Sequence, residues 1–181
     1  MLFDLPSGTP AKVAIALGKN GKAYVLDRTY LGGVSNAPAQ AIVSTNEIIT
    51  AAAAYSTAKG VYVVFNAPGA NCPNGNGDLV ALSIGPGAPP TISTAWCASA
   101  QGLGSPMVTT TDGHAGSIVW IFGAEGDGRL HGYDGDTGAV VFAGGGGGDK
   151  MTGLKRYGTP IAAKVRIFAT ATNAVYAFTS K

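Results

Sequence analysis

One seven-residue strand pattern occurs four times along this 181-residue chain, and it limits the possible folds more than any other feature. The copies are Gly21–Asp27, Gly77–Ser83, Gly128–Asp134 and Asn173–Thr179. Each opens on Gly or Asn, residues that tolerate positive φ. Each then runs through mostly apolar positions and closes on Asp, Ser or Thr, whose short side chains bond the backbone of a following turn. Upstream of each lies an apolar partner: Val13–Leu17, Val61–Phe65, Ser117–Phe122 and Val165–Ala169. Connectors rich in Gly or Asn join the pairs, from the compact Gly18–Gly21 to the longer Asn66–Asn76 and the Gly/Asp-rich Gly123–Asp127. β-Branched and aromatic runs bounded by such turns read as hairpins.

Further strands flank the hairpins. Pro106–Thr110 and Pro160–Ala163 read as strands entering their units. Ile49–Tyr55 fills that role in the second unit as a strand, or forms a short helix through its alanines. Thr91–Trp96 and Ala139–Ala143 read as leaving strands. The first unit then lacks an entering strand and the last a leaving strand. The heptads begin 56, 51 and 45 residues apart, and about 40 to 50 residues per four-stranded unit is the spacing of a β-propeller. The expected fold is therefore all-β, with about four blades of four-stranded antiparallel sheet in units near 1–38, 39–99, 100–148 and 149–181. A β-sandwich competes, but it does not require one heptad four times.

Composition agrees with this reading. Apolar residues make up 46% of the chain and charged residues 12%, which is a chain that buries a core. The 28 glycines and 10 prolines are spread among apolar runs, as short strands and tight turns require. The net charge is +2 and the cations are scattered, so nucleic acid is not an expected partner. Apolar stretches fall short of the roughly 18 residues of a membrane span. Met1–Pro10 carries Asp4 and two prolines without a basic start, unlike a signal peptide.

Arg129–Phe142 runs from a strand ending in Asp134, through a Thr137-Gly138 turn, to a strand ending in an aromatic residue. In this it resembles the bacterial PQQ-like β-propeller repeat proteins of the quinoprotein-like superfamily. Tyr24–Asp27 and Tyr176–Phe178 are weaker copies; Phe142 stands where the family usually has Trp. The resemblance implies an extracellular or periplasmic location and a ring commonly of about seven or eight blades. Four blades are then a partial ring, half of a ring shared by two chains, or a small closed ring with Leu2–Leu5 as its missing last strand. It also implies, for the family's dehydrogenases, pyrroloquinoline quinone with calcium, a catalytic Asp, a disulfide between adjacent cysteines and a stacking Trp.

Several residues invite a chemical role. Cys72 and Cys97 lie outside any zinc-type spacing and near strand ends, and read as a loop-stapling disulfide or as two buried thiols. Asp134 and Asp136 lie in a loop that suggests a calcium loop, but no further carboxylate follows at EF-hand spacing and the resemblance explains both as turn formers; Asp127, in the Gly-rich loop Glu125–Gly128, is a similar candidate. His131 occupies the heptad position of Tyr24, Val80 and Tyr176, a strand-packing position. His114 sits in a turn. Neither is visibly paired with a nucleophile, so no triad is expected. Gly144–Gly148 lacks the Lys-Ser/Thr of a phosphate loop and reads as a flexible linker. Trp96 and Trp120, like Tyr24, Tyr62, Phe65, Tyr133 and Phe178, read as packing residues.

The leading expectation is a non-catalytic scaffold or interaction module with no cofactor, partnered by another protein or by its own kind through incomplete terminal blades. The alternatives are part of a PQQ-dependent dehydrogenase acting on alcohols or sugars, with PQQ and calcium bound, and a glycan- or polymer-binding module.

Overall fold

The computed structural model describes residues 1–33, 36–70, 72–73 and 77–179. Fifteen strands form four antiparallel sheets, each a simple meander of consecutive strands. The first holds β1 (Leu2–Asp4), β2 (Lys12–Leu17), β3 (Lys22–Asp27) and β4 (Ala39–Ile42). The second holds β5 (Ala53–Thr57), β6 (Gly60–Asn66), β7 (Leu79–Gly85) and β8 (Thr91–Ala98). The third holds β9 (Met107–Thr109), β10 (Ile118–Phe122), β11 (Leu130–Asp134) and β12 (Val140–Ala143). Among the described residues the fourth holds β13 (Ile161–Ala163), β14 (Arg166–Thr170) and β15 (Val175–Thr179), with no leaving strand. The fold is all-β with blade-like sheets.

Two expectations are corrected at the N-terminus. The first sheet does not lack its entering strand, because Leu2, Phe3 and Asp4 pair with Ala14, Val13 and Lys12. Leu2–Leu5 therefore does not complete the fourth sheet. Phe3 faces the same side as buried Val13, and Leu5 enters the core between the first two sheets, which fixes this segment locally. The first sheet also runs on to Ile42, through the pairing of Ala41 with Ala23. Ala53–Thr57 forms a strand, with Tyr55 opposite Tyr62 and the rings stacked at 5.3 Å.

The side-chain period of two divides each heptad between two neighbours. Positions three and five point toward the following sheet, and positions four and six toward the preceding one. Ala23 and Val25 meet Val80 and Leu82 in one core cluster. Leu79 and Ala81 meet Val119, Ile121 and Tyr133 in the next. Leu130 packs with Ala169, Tyr176 and Phe178 in the third. The second sheet is covered on both faces, so β6 is buried from Val61 to Asn66 and reads as a continuous apolar run rather than an alternating one. Each fully buried large apolar side chain contributes roughly 1.5–3 kcal/mol. Among the described residues, the core clusters join sheets one to two, two to three and three to four, and none joins four to one. The described residues thus do not close into a small ring.

Gly21 shows why a heptad opens on glycine. Its φ is +73°, and a Cβ there would lie 2.1 Å from the Ser44 carbonyl oxygen. The Gly144–Gly148 expectation is corrected: the run is pinned rather than free. Arg129 donates to the carbonyls of Gly144 and Gly146 at 2.8 and 2.6 Å, and Asp149 accepts from the Gly146 N–H at 2.6 Å. A short 3-10 turn at Gly147–Asp149 follows.

Candidate functional site

The Asp134-Gly135-Asp136-Thr137-Gly138 turn docks the third sheet onto the second. Asp134 Oδ1 accepts from the Asp136 N–H at 3.1 Å and the Thr137 hydroxyl at 2.6 Å, closing the turn. Asp136 accepts from the Thr57 hydroxyl at 2.7 Å, with Lys59 Nζ at 3.9 Å. Between them, the Gly135 carbonyl accepts two buried hydrogen bonds, from Tyr55 Oη at 2.7 Å and Trp96 Nε1 at 2.8 Å. Burial pushes the Tyr55 phenol far above its ordinary value. Gly138 lies flat against the Trp96 ring at φ +72°, where a Cβ would approach within 2.6 Å. Asp134 and Asp136 therefore act as a turn former and an inter-sheet tie.

Asp127 is also engaged. Its Oδ1 accepts from the Arg129 N–H at 2.9 Å, and its Oδ2 lies 2.8 Å from His131 Nε2. His131 is buried on β11 and stacks beside Tyr133, whose hydroxyl donates to the Ser99 carbonyl. Burial pushes Tyr133 up to about 12. The Asp127–His131 pair is what the heptad reading missed, since it gave His131 a packing role without a partner. The i, i+4 spacing across a turn into a strand was the available signal. His114 is exposed, and its N–H is held by Asp112 at 2.9 Å. Among the described residues, no three of His, Cys, Asp and Glu gather in one place.

Cys72 and Cys97 are joined by a disulfide. Cys97 lies on β8 opposite Val80, so the bridge ties the long β6–β7 connection to the outermost strand of the same sheet. The pair is 25 residues apart, unlike the adjacent cysteines of the quinoprotein dehydrogenases. Both tryptophans are occupied: Trp96 by Gly135, and Trp120 by Thr109 at 2.9 Å and by Phe142.

Two recesses lie among the described residues. A recess of about 190 Å³ is lined by Glu47, Ile49, Thr50, Asn66, Pro68, Leu103 and Arg156. There the connections between successive sheets converge. Arg156 is paired with Glu125 through both guanidinium nitrogens that reach it. A larger recess of about 370 Å³ lies on the outer face of the first sheet, beneath the β3–β4 connection. Tyr24 and Leu26, with Asn36, Ala37 and Gln40, line it. Tyr30 and Tyr157 are exposed and lie on separate connections.

No protein-family model matches this chain, and no curated protein sequence matches it.

Among the described residues no helix is long and apolar enough to cross a membrane.

Proposed function

We propose that this chain is a segment of a quinoprotein-like β-propeller that works as a non-catalytic scaffold or interaction module outside the cytoplasm. The observation that carries this reading is the state of the two terminal sheets. The interior sheet–sheet joints are closed by buried apolar clusters, whereas among the described residues the outer faces of the first and fourth sheets keep large apolar side chains exposed. Leu2 and Ile42 are 67% and 72% exposed on one, and Ile161 and Val175 are 59% and 67% exposed on the other. Apolar faces of this kind mark surfaces that another protein covers. The Cys72–Cys97 bridge favours an oxidising compartment. Titration with pyrroloquinoline quinone, with and without calcium and followed by tryptophan fluorescence, tests the reading. No saturable binding is expected in either condition. Calcium-dependent binding at micromolar concentration or tighter would replace the scaffold with a quinoenzyme segment.

A further inference from the structure

We propose that Asn20 is a site of spontaneous deamidation, and that a clasp from its side chain to Tyr24 sets the rate. The proposal stands apart from the scaffold reading, because it concerns one turn and no partner.

Asn20 is exposed between β2 and β3 and is followed by Gly21. Asparagine is thermolabile, and a following glycine puts no Cβ in the way of its side chain. In the reaction the Gly21 amide nitrogen gives its proton to hydroxide and forms a bond to Asn20 Cγ. The Cγ–Nδ2 bond breaks, and Nδ2 takes a proton from water and leaves as ammonia. Water then opens the resulting cyclic imide at either carbonyl, which leaves aspartate or isoaspartate at position 20.

Two sets of contacts oppose the first step. The Gly21 N–H donates to the Gly18 carbonyl at 3.0 Å, so the nucleophile is engaged. The Asn20 side chain is held at both ends: Oδ1 accepts from the Lys22 N–H at 3.3 Å, and Nδ2 donates to the Tyr24 hydroxyl at 2.7 Å. Turning Cγ onto the Gly21 nitrogen costs these bonds.

The third unit shows how the aspartate product sits. There Asp127 stands at the place of Asn20, one residue before the heptad. Its Oδ1 accepts from the Arg129 N–H at 2.9 Å, and its Oδ2 lies 2.8 Å from His131 Nε2, the same reach to the second and fourth residues along. The glycines match as well, Gly21 at φ +73° and Gly128 at φ +72°. Their carbonyls accept from the N–H groups of Val43 and Met151, each in the connection that leaves for the next sheet. An aspartate at position 20 therefore fits the turn as Asp127 fits its own, with Tyr24 as donor. Isoaspartate does not fit. It adds a methylene to the main chain beside Gly21, where even a Cβ would lie 2.1 Å from the Ser44 carbonyl oxygen. One product keeps the tie between this turn and the outgoing connection, and the other breaks it.

The full chain is incubated in mildly alkaline buffer, folded or in urea, and then digested. Mass spectrometry follows the amide-to-acid mass gain at Asn20, in a peptide separate from Asn74 and Asn76. Conversion at Asn20 is expected to be slower in the folded chain than in urea. Tyr24→Phe removes the acceptor of the clasp and is expected to speed conversion of the folded chain roughly two- to tenfold, the factor of one net hydrogen bond. Tyr24→His copies the pairing of the third unit and is expected to keep the slow rate. Asn20→Asp is expected to unfold at the wild-type urea midpoint. Equal rates in the folded chain and in urea would overturn the proposal, as would no mass gain at Asn20 in either. A Tyr24→Phe chain that is folded by circular dichroism and converts no faster than wild type would also overturn it. Where Tyr24→Phe does not fold, Tyr24→His decides, since conversion as fast as in urea removes the clasp from the account.

Discussion

The Gly135 carbonyl accepts twice at the joint between the second and third sheets, since Tyr55 and Trp96 both donate to it from the neighbouring sheet. Tyr55→Phe removes one of the two donors while leaving the other, and a destabilisation of about 0.5–1.5 kcal/mol is expected in urea unfolding. Trp96→Ala also removes a buried ring and is expected to cost about 3–5 kcal/mol. Equal effects from the two would show that the ring does not pack as described. Gly138→Ala forces a side chain onto the Trp96 ring at positive φ, and a loss of at least about 1 kcal/mol is expected. Tyr133 carries a pH consequence. Its phenol is raised by burial from 10.0 to about 12, so its neutral form is favoured in the folded chain. That contribution is complete below pH 10.0 and is lost as pH rises toward about 12. Stability measured at successive alkaline pH values should therefore fall through this interval.

At the scale of elements, the sheets differ in how completely they are covered. The second has neighbours on both faces, while the fourth is covered on one face and, among the described residues, has β15 paired only with β14. Hydrogen exchange should be slowest in β6 and β7 and fastest in β13, whose three residues are all exposed. Comparable protection in β13 would contradict this ranking. The Cys72–Cys97 bridge restrains the second sheet's long connection, and replacing both cysteines by serine is expected to lower stability by about 2–4 kcal/mol. The hairpins at the centre of each unit were legible because turn residues bound their apolar runs on both sides. β1 was not: a three-residue strand carries too little alternation to be told from a tail, and its pairing with β2 is needed to define it.

At the scale of the whole molecule, the described residues form four sheets in chain order joined by three buried apolar clusters. Electrostatics adds a pH dependence that is spread over exposed turns. The Thr29 hydroxyl and N–H hold Asp27 below its ordinary 3.8, the Ala115 and His114 N–H groups do the same for Asp112, and the Arg156 guanidinium holds Glu125 below 4.5. A carboxylate depressed in the folded state stabilises above its unfolded value and loses that contribution as pH falls through the folded one. Thermal unfolding should therefore occur at lower temperature below about pH 4 than near neutrality. An unchanged midpoint would mean that these turns contribute nothing to folding.

Sequence by itself determined the all-β class, the four central hairpins, the burial of Phe65 and Tyr133, and the turn-forming use of Asp27 and Asp134. Each depends on neighbours close in the chain: a period of two, a flanking Gly or Asn, or a carboxylate two or three residues from the N–H it accepts. Only the tertiary structure decided that Gly135 meets Tyr55 from 80 residues away, that Asp136 ties to Thr57, and that Cys72 and Cys97 are bridged. It also decided which face of each strand meets which sheet. Alternation makes two faces, but it is the order of stacking that assigns them, and contacts between distant segments leave no mark in local pattern.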